Sequence, residues 1–276
     1  MKKLIPTVLL TLGLTFGMVA GAGAVTDGTV DGNGHPAVVL LLMEVGGKPA
    51  FRCSGTLLSP TVLLTAGHCA GAPGEFSGMR VFWDSDVEAG RGITNNYPFG
   101  GLNSVEAVDW HAHPLYPTAS FVMHDVGIVV LAAPGVPNTT GYAYGTLPSV
   151  NQFDAFKTKR GLSKVSFTSV GYGLQKSFPD AASWKTQASR TRYVAYPRLI
   201  QINVPGFTGD FSMLLSNNAN TGGTCFGDSG GPNFLGDSTV VAGITSFGIN
   251  GNCAGTGGVF RTDRQNVQDF IKPFLK

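Results

Sequence analysis

Charged residues are scarce in this sequence of 276 residues. Asp, Glu, Lys and Arg together make up 13% of the chain, whereas hydrophobic residues make up 43%, and the formal net charge is only +2 at pH 7. Proteins that bind nucleic acids or anionic membranes do so with clustered positive charge. We therefore expect neither nucleic acid nor an anionic membrane among the partners of this protein.

Cysteine is also scarce, with four residues in the chain. No two of them have the C-x-x-C spacing of common zinc sites, which argues against structural zinc. Four cysteines can form two disulfides in three different pairings. The pairs close in sequence are Cys53 with Cys69 and Cys225 with Cys253, and two free or metal-bound pairs are the alternative.

The amino terminus is typical of a secretory signal peptide over residues 1–24. Lys2 and Lys3 precede an apolar run over residues 4–20, and small residues complete the segment. A membrane anchor is the alternative, because the run is close to spanning length, but no basic stop-transfer cluster follows it. Cleavage would lower Lys plus Arg from 19 to 17 (19 − 2), equal to the 17 Asp plus Glu. We predict a secreted protein, extracellular or periplasmic, with no membrane attachment after cleavage.

The remaining chain is typical of an all-β fold. It contains no internal repeat and no low-complexity segment, and short apolar runs alternate with Gly, Pro and Ser. The predicted strands include 37–42, a run after the turn 45–49, 55–58, 62–65, 79–83, 105–110, 126–131, 165–170, 199–204 and 240–246.

A stretch without a clear period, about residues 134–162, divides these strands into two groups. It is interrupted by Pro134 and Pro148. We interpret it as the connection between an amino-terminal β-half of about 36–133 and a carboxyl-terminal β-half of about 163–260.

The carboxyl terminus changes to a helical pattern. Thr262 with Gln265 three residues later forms a capping-box pattern, which predicts a helix over about 263–275. The apolar residues at helical spacing are Val267, Phe270, Ile271 and Phe274.

The stretch most typical of a catalytic site is Gly227–Pro232 (GDSGGP). Glycines on both sides of Ser229 permit backbone conformations that a Cβ would forbid and leave the hydroxyl exposed. Successive N–H groups in such a turn can converge on a developing oxyanion.

Two residues upstream can activate such a serine. His68 follows a predicted strand, and its neutral imidazole accepts a proton near physiological pH. Asp125 begins a strongly apolar strand, so its carboxylate needs a hydrogen-bonded partner, and an imidazole N–H would serve. All five histidines precede Ser229, which excludes the α/β-hydrolase fold because that fold has its histidine after the serine.

The chain resembles the chymotrypsin-like (trypsin-fold) serine peptidases over residues 25–276. The resemblance is carried by Thr65–Cys69 (TAGHC), His124–Leu131 (HDVGIVVL) and Thr224–Pro232 (TCFGDSGGP), with secondary matches at 170–173 and 246–248. It implies two six-stranded antiparallel β-barrels packed together with a carboxyl-terminal α-helix, and an active site between the barrels. The low number of cysteines suggests a microbial-type secreted member.

The resemblance also implies a mechanism and a set of site residues. Ser229 would be the nucleophile, His68 the general base and Asp125 the residue that orients the imidazole. The backbone N–H groups of Gly227 and Ser229 would form the oxyanion hole. No cofactor or metal is implied. The expected partners are protein or peptide substrates and proteinaceous inhibitors, and we expect a monomer.

The resemblance further implies a primary specificity pocket without charge. Gly223, six residues before the nucleophile, would lie at its base. Its walls would be formed by Thr224, Ser246, Phe247, Gly248 and Gly258. Such a pocket favours aromatic or large apolar side chains. Two departures from the family are mild: Gly67 stands where Ala is more common, and Phe247 where Trp is more common.

The resemblance also concerns how the enzyme would be activated. Family members pair a new amino-terminal ammonium with the Asp before the nucleophile, here Asp228. No basic cleavage site precedes an Ile-Val-Gly-Gly start in this chain. We hypothesise that signal cleavage before Val25 supplies the ammonium directly.

Two alternatives stay open at this point. A catalytically silent trypsin-fold homologue could act as a binding protein, although such proteins usually lose one of the site residues. A metal-dependent enzyme could use His111, His113 and His124, since His-x-His can bind a metal, but no carboxylate-bearing helix supports that site.

Overall fold

The computed structural model describes residues 25–116, 121–157, 164–175 and 189–276. The predicted signal peptide lies outside the described residues. Every predicted strand forms a strand or overlaps one. Most of these apolar runs are buried in the paired sheets, whereas the run 105–110 contains no buried residue. None of the helices within these ranges has the length and apolar character needed to span a lipid bilayer.

The first sheet is a closed antiparallel barrel of six strands. Closure leaves no unpaired edge, and the inward side chains fill the interior. In order around the barrel, the strands are β2 (Val38–Val45), β3 (Lys48–Ser59), β4 (Val62–Thr65), β7 (Gly127–Leu131), β6 (Ser104–Ala112) and β5 (Gly78–Phe82).

The second sheet is antiparallel and contains eight strands in one row. The predicted fold class is thereby confirmed in its two β-units and its carboxyl-terminal helix, but the second unit is an open sheet of eight strands instead of a six-stranded barrel. Its order is β1 (Thr29–Val30), β9 (Tyr193–Ala195), β8 (Phe167–Gly171), β12 (Pro232–Leu235), β13 (Val241–Gly248), β14 (Gly255–Arg261), β11 (Gly209–Asn217) and β10 (Leu199–Val204).

Five strands of the second sheet have no clear signal in the sequence. β1, β9 and β12 are two to four residues long, which is too short for a pattern to develop. β14 has the sequence GTGGVFR, so glycine takes the place of the side chains that would mark a strand. β11 begins with two exposed residues and one partly exposed residue, and its last six residues are buried.

The carboxyl-terminal helix α2 is Gln265–Ile271, followed by a 3₁₀ turn at Lys272–Leu275. Val267 and Ile271 are fully buried, as the helical spacing predicts. The predicted capping box is wrong. Thr262 is still bonded to the sheet, and its hydroxyl donates to the carbonyl of Val241, so it is not free to cap the helix.

A buried ion pair holds the amino-terminal segment at the β1 edge of the second sheet. Asp31, just after β1, lies 2.7 Å from the guanidinium of Arg192, and each side chain is 1% exposed. Arg192 also donates to the carbonyls of Gly32 and Val38. Burial raises the pKa of Asp31, but the hydrogen bonds from His35 and Arg192 lower it more, so the carboxylate stays charged. The path of the first described residues is therefore determined by charge as well as by strand pairing.

Candidate active site

His68 lies on a single helical turn, α1 (Gly67–Ala70), directly after β4. Its neighbour Cys69 is disulfide-bonded to Cys53 on β3. The side chain of His68 is 26% exposed, so part of it is accessible to solvent. The disulfide and the helical turn together hold the imidazole at the edge of the barrel.

Gly67 permits a close approach between α1 and the segment that carries Asp125. A Cβ at this position would lie 2.9 Å from the ring of Tyr116, 3.1 Å from the amide nitrogen of Val126 and 3.2 Å from the carbonyl oxygen of His124. The departure from alanine noted in the sequence therefore has a steric reason in this chain.

Asp125 lies just before β7 and is fully buried. Its carboxylate accepts a hydrogen bond of 2.8 Å from the backbone N–H of His68 and lies 2.9 Å from the Nδ1 of the same residue. The hydroxyl of Ser246 on β13 donates to it as well. Three donors satisfy a charge that would otherwise be costly to bury.

The pKa of His68 is raised above its ordinary value of 6.5. Burial lowers it, but the charge of Asp125 and the hydrogen bond to that carboxylate raise it by more, and Glu75 adds a smaller attraction. Because Nδ1 faces Asp125, Nε2 is the ring nitrogen left to accept a proton.

Ser229 lies in a glycine-rich turn that is docked on Ser54 of the barrel strand β3. The amide of Ser54 donates to the carbonyl of Ser229 at 2.8 Å, and its hydroxyl donates to the carbonyl of Gly227 at 3.0 Å. Gly230 has φ +79°, and a Cβ there would lie 2.1 Å from the Oγ1 of Thr65. Glycine is required at this position because the turn and the barrel approach each other so closely.

The two amides predicted to bind an oxyanion belong to peptide planes that are fixed from their other side. The carbonyl of Phe226 accepts from the amide of Leu174 at 2.9 Å, and the carbonyl of Asp228 accepts from the amide of Gly231 at 2.8 Å. In a trans peptide the N–H points away from the C=O. The N–H groups of Gly227 and Ser229 are therefore oriented by these bonds.

His68 and Ser229 line the same cavity, which has a volume of about 640 Å³. Four of the predicted pocket residues, Thr224 and the three residues 246–248, also line it. None of the described lining residues carries an Asp, Glu, Lys or Arg side chain. The sequence did not identify Phe226 and Ile249 as further lining residues, because exposed apolar side chains in loops have no signal of their own.

Gly223 and Gly258 are not part of this lining. A Cβ on Gly223 would lie 2.3 Å from the Cγ of Asn217, and a Cβ on Gly258 would lie 2.3 Å from the ring of Phe247. Neighbouring side chains thus fill the space that these glycines leave. Phe247 lines the cavity where Gly258 was expected to form a wall.

Asp228 is a second fully buried carboxylate. It accepts from the amides of Gly173 at 2.7 Å and Cys225 at 2.9 Å. Burial raises its pKa to about 7, and the two amides and the positive charge of Arg52 offset only part of that rise. The carboxylate therefore needs further positive charge to be fully ionised at neutral pH.

The other disulfide joins Cys225 to Cys253, so both bonds are between the cysteine pairs that are close in sequence. Among the described residues, the only three potential metal ligands that come together are Cys53, His68 and Cys69, and both cysteines are disulfide-bonded. His113 and His124 stack with their ring centres 4.9 Å apart, and burial lowers the pKa of each. His111 instead pairs with the exposed Asp109.

Residues 27–271 match the model of the Trypsin family. This chain belongs to the trypsin family. The trypsin family is a family of serine peptidases, so proteins or peptides are the substrate class of this chain. Brachyurin of Leptuca pugilator is 29% identical over 207 residues, which cover 74% of this chain and 78% of brachyurin.

Solved structures share the trypsin fold. HL collagenase has a TM-score of 0.66 at 20% identity, covering 91% of this chain and 98% of that one. The protease Anisep from Arthrobacter nicotinovorans has a TM-score of 0.61 at 16% identity, covering 87% and 96%. A mutant of human heparin binding protein has a TM-score of 0.60 at 15% identity, covering 90% and 95%. At these identities the likeness shows the fold alone, and a microbial type stays a prediction.

Among the residues that position this trypsin-family site, sequence reasoning did not recognise Ser54 or Asn217, and it predicted Ser246 only as a wall of the cavity. Ser54 anchors the turn, Ser246 donates to Asp125 in addition to lining the cavity, and Asn217 packs beneath Gly223. Each is a small polar residue inside or at the end of a strand. Such residues are too common for their sequence positions to indicate a role.

We predict that the pKa of His68 falls below 6.5 in an Asp125→Asn variant. Removal of the carboxylate abolishes the largest favourable contribution to the imidazolium, while burial still opposes the charged form. The proton resonances of the imidazole ring, followed by NMR against pH, measure this directly. Asp109→Asn removes an exposed carboxylate beside His111 and serves as the control. A His68 pKa that stays above 6.5 in Asp125→Asn would contradict the assignment.

Proposed function

We propose that this protein is a secreted serine endopeptidase that uses Ser229, His68 and Asp125. The observation that carries the proposal is the buried Asp125 carboxylate bonded to Nδ1 of His68, whose ring shares a cavity with Ser229. An imidazole oriented in this way can remove the proton of a serine hydroxyl and return it later.

The reaction proceeds by acyl transfer. The Oγ of Ser229 forms a bond to the carbonyl carbon of the substrate, and its proton passes to Nε2 of His68. The C–N bond then breaks as His68 gives this proton to the leaving amine. A water molecule, deprotonated by the same imidazole, hydrolyses the acyl-enzyme and releases Ser229.

The amides of Gly227 and Ser229 stabilise the negative charge on the substrate oxygen. Their peptide planes are held by Leu174 and Gly231, so the donors need little reorientation during the reaction. Loss of one such donor typically lowers turnover by roughly 100- to 1000-fold.

A fluorophosphonate is expected to form one adduct, on Ser229, in the secreted protein. The serine oxygen displaces fluoride from phosphorus only if it is deprotonated by His68 and the phosphoryl oxygen is stabilised. Intact mass and peptide mapping locate the adduct, and Ser229→Ala is the control. Absence of an adduct, before and after limited proteolysis near Val25, would refute the peptidase proposal and favour the binding homologue.

The cavity favours an uncharged side chain before the scissile bond. It has no carboxylate among its described lining residues, and the Phe247 ring and Ile249 provide apolar surface. A buried Arg or Lys side chain would have no counter-charge there, whereas an aromatic or large apolar one would be desolvated favourably.

Peptides that differ only at the residue before the cut test this preference. We expect kcat/KM for Phe or Leu to exceed that for Arg by at least about tenfold, which corresponds to about 1.4 kcal/mol. The same peptide with Asp at this position controls for charge of either sign. A strong preference for Arg would overturn the assignment of the cavity.

Secretion and activation are linked in this proposal. The predicted signal peptide ends before Val25, and disulfides are typical of oxidising compartments. Val25 is buried, and Thr26 forms an antiparallel bridge with Gly223, five residues before Asp228. An ammonium at Val25 would supply the positive charge that Asp228 needs, so that signal cleavage itself would activate the enzyme.

Extension of the mature protein by one residue before Val25 is expected to lower kcat/KM by about 100-fold or more, because a buried carboxylate would lose its partner. The extended and unextended proteins are compared with one peptide substrate at equal protein concentration. Extension at the carboxyl terminus, where Lys276 is exposed, is the control. Equal turnover of the two proteins would refute activation by signal cleavage.

A further inference from the structure

Two hydrogen bonds, made by the buried side chains of Thr26 and Asn217, connect the amino-terminal segment to the floor of the cavity. The hydroxyl of Thr26 donates to Oδ1 of Asn217 at 2.6 Å and lies 3.1 Å from a second acceptor, the carbonyl oxygen of Gly223. Nδ2 of Asn217 donates to the carbonyl of Thr224 at 2.9 Å. Thr26 is 0% exposed and Asn217 is 1% exposed, while Thr224 lines the cavity. Water cannot readily replace either bond, because both donors are buried.

The carbonyl of Thr224 determines the orientation of the Asn217 amide. Only the NH₂ group can face a carbonyl, so Oδ1 must face Thr26, and the threonine must be the donor. The two hydrogen bonds therefore depend on each other, and loss of the Thr26 hydroxyl leaves the buried Oδ1 without its donor.

Asn217 is also a rigid support. It is the last residue of β11 and pairs with Gly255 of β14, whereas Thr26 and Thr224 lie in irregular segments on either side of it. Its side chain fills the space next to Gly223, where a Cβ would lie 2.3 Å from its Cγ. The backbone of Gly223 in turn donates to the carbonyl of Thr26 at 3.0 Å. The sheet thus holds a side chain to which both irregular segments are bonded.

We propose that Asn217 is a positioning residue that couples docking of the amino-terminal segment to the shape of the cavity floor at Thr224. The kinetic part of this inference rests on the proposed function. The coupling is reciprocal: a substrate side chain that fills the cavity stabilises the docked segment, and the docked segment strengthens binding of that side chain. It acts through a hydroxyl and an amide, so it is separate from the charge of Val25 on Asp228.

Three variants of the secreted protein separate this coupling from ordinary stability. Thr26→Val removes the hydroxyl with little change of shape, and Thr26→Ser retains it. Asn217→Asp keeps the acceptor for Thr26 but loses the donor to Thr224, and it remains informative if Thr26→Val folds poorly. Thr168→Val is the matched control, because Thr168 is a buried threonine of the same sheet whose hydroxyl donates to the carbonyl of Gly236.

Amide hydrogen exchange over residues 222–226 is the first measurement, and it needs no enzymatic activity. We expect exchange to be roughly tenfold faster in Thr26→Val and Asn217→Asp, because a buried partner loses its hydrogen bond. Thr26→Ser and Thr168→Val should exchange like the unmodified protein. Exchange equal to that of the unmodified protein in Thr26→Val or in Asn217→Asp, or equal acceleration in Thr168→Val, would overturn the proposal. Because the Thr26 hydroxyl also lies near the carbonyl of Gly223, Asn217→Asp is the variant that tests Asn217 itself.

Kinetics with two peptides are the second measurement. For a peptide with Phe before the cut, Thr26→Val should raise KM by roughly tenfold while kcat changes less than about twofold, since fewer molecules have a formed floor. A peptide with Gly at that position should show little change. Equal loss of kcat for both peptides would refute coupling to the floor. If no peptide is cleaved by the unmodified protein but exchange follows the expected pattern, the proposed function fails and the link between Thr26 and the floor stands.

Discussion

The site depends on the contact between a glycine-rich turn and one serine of the barrel. His68 and Asp125 belong to the closed barrel, whereas Ser229 precedes a strand of the second sheet. Ser54 bonds to two carbonyls of that turn and so sets the distance between the sheets. Gly230 makes the contact possible, because any side chain there would overlap Thr65. Without this docking, the three side chains would lie on separate units with no fixed geometry.

The site contains two buried carboxylates that differ in their partners. Asp125 has an imidazole, an amide and a hydroxyl as donors, and it raises the pKa of His68. Asp228 has two amides and a more distant arginine, and burial raises its pKa to about 7. The first carboxylate is satisfied within the folded chain. Ionisation of the second would be favoured by positive charge added beside it, as the proposed activation requires.

Sequence patterns were informative where chemistry or burial is local. Apolar runs predicted the strands of the barrel, and the order of His68, Asp125 and Ser229 excluded another hydrolase fold. Patterns failed where structure depends on distant partners. The capping role expected of Thr262 was wrong because its hydroxyl bonds to Val241, and β14 could not be recognised because glycine has no side chain to indicate burial. Gly258 was expected as a cavity wall, but the ring of Phe247 covers it.

The sequence by itself determined the family, the all-β class and the residues that we propose for acyl transfer, since these follow from residue type, order and local context. Only the tertiary structure decided which small polar residues support them. Ser54, Asn217 and Ser246 act through hydrogen bonds to residues more than 100 positions away, with sequence separations of 173, 191 and 121. A hydrogen bond requires atoms within about 3 Å of each other, and that proximity exists only after the two sheets have packed together.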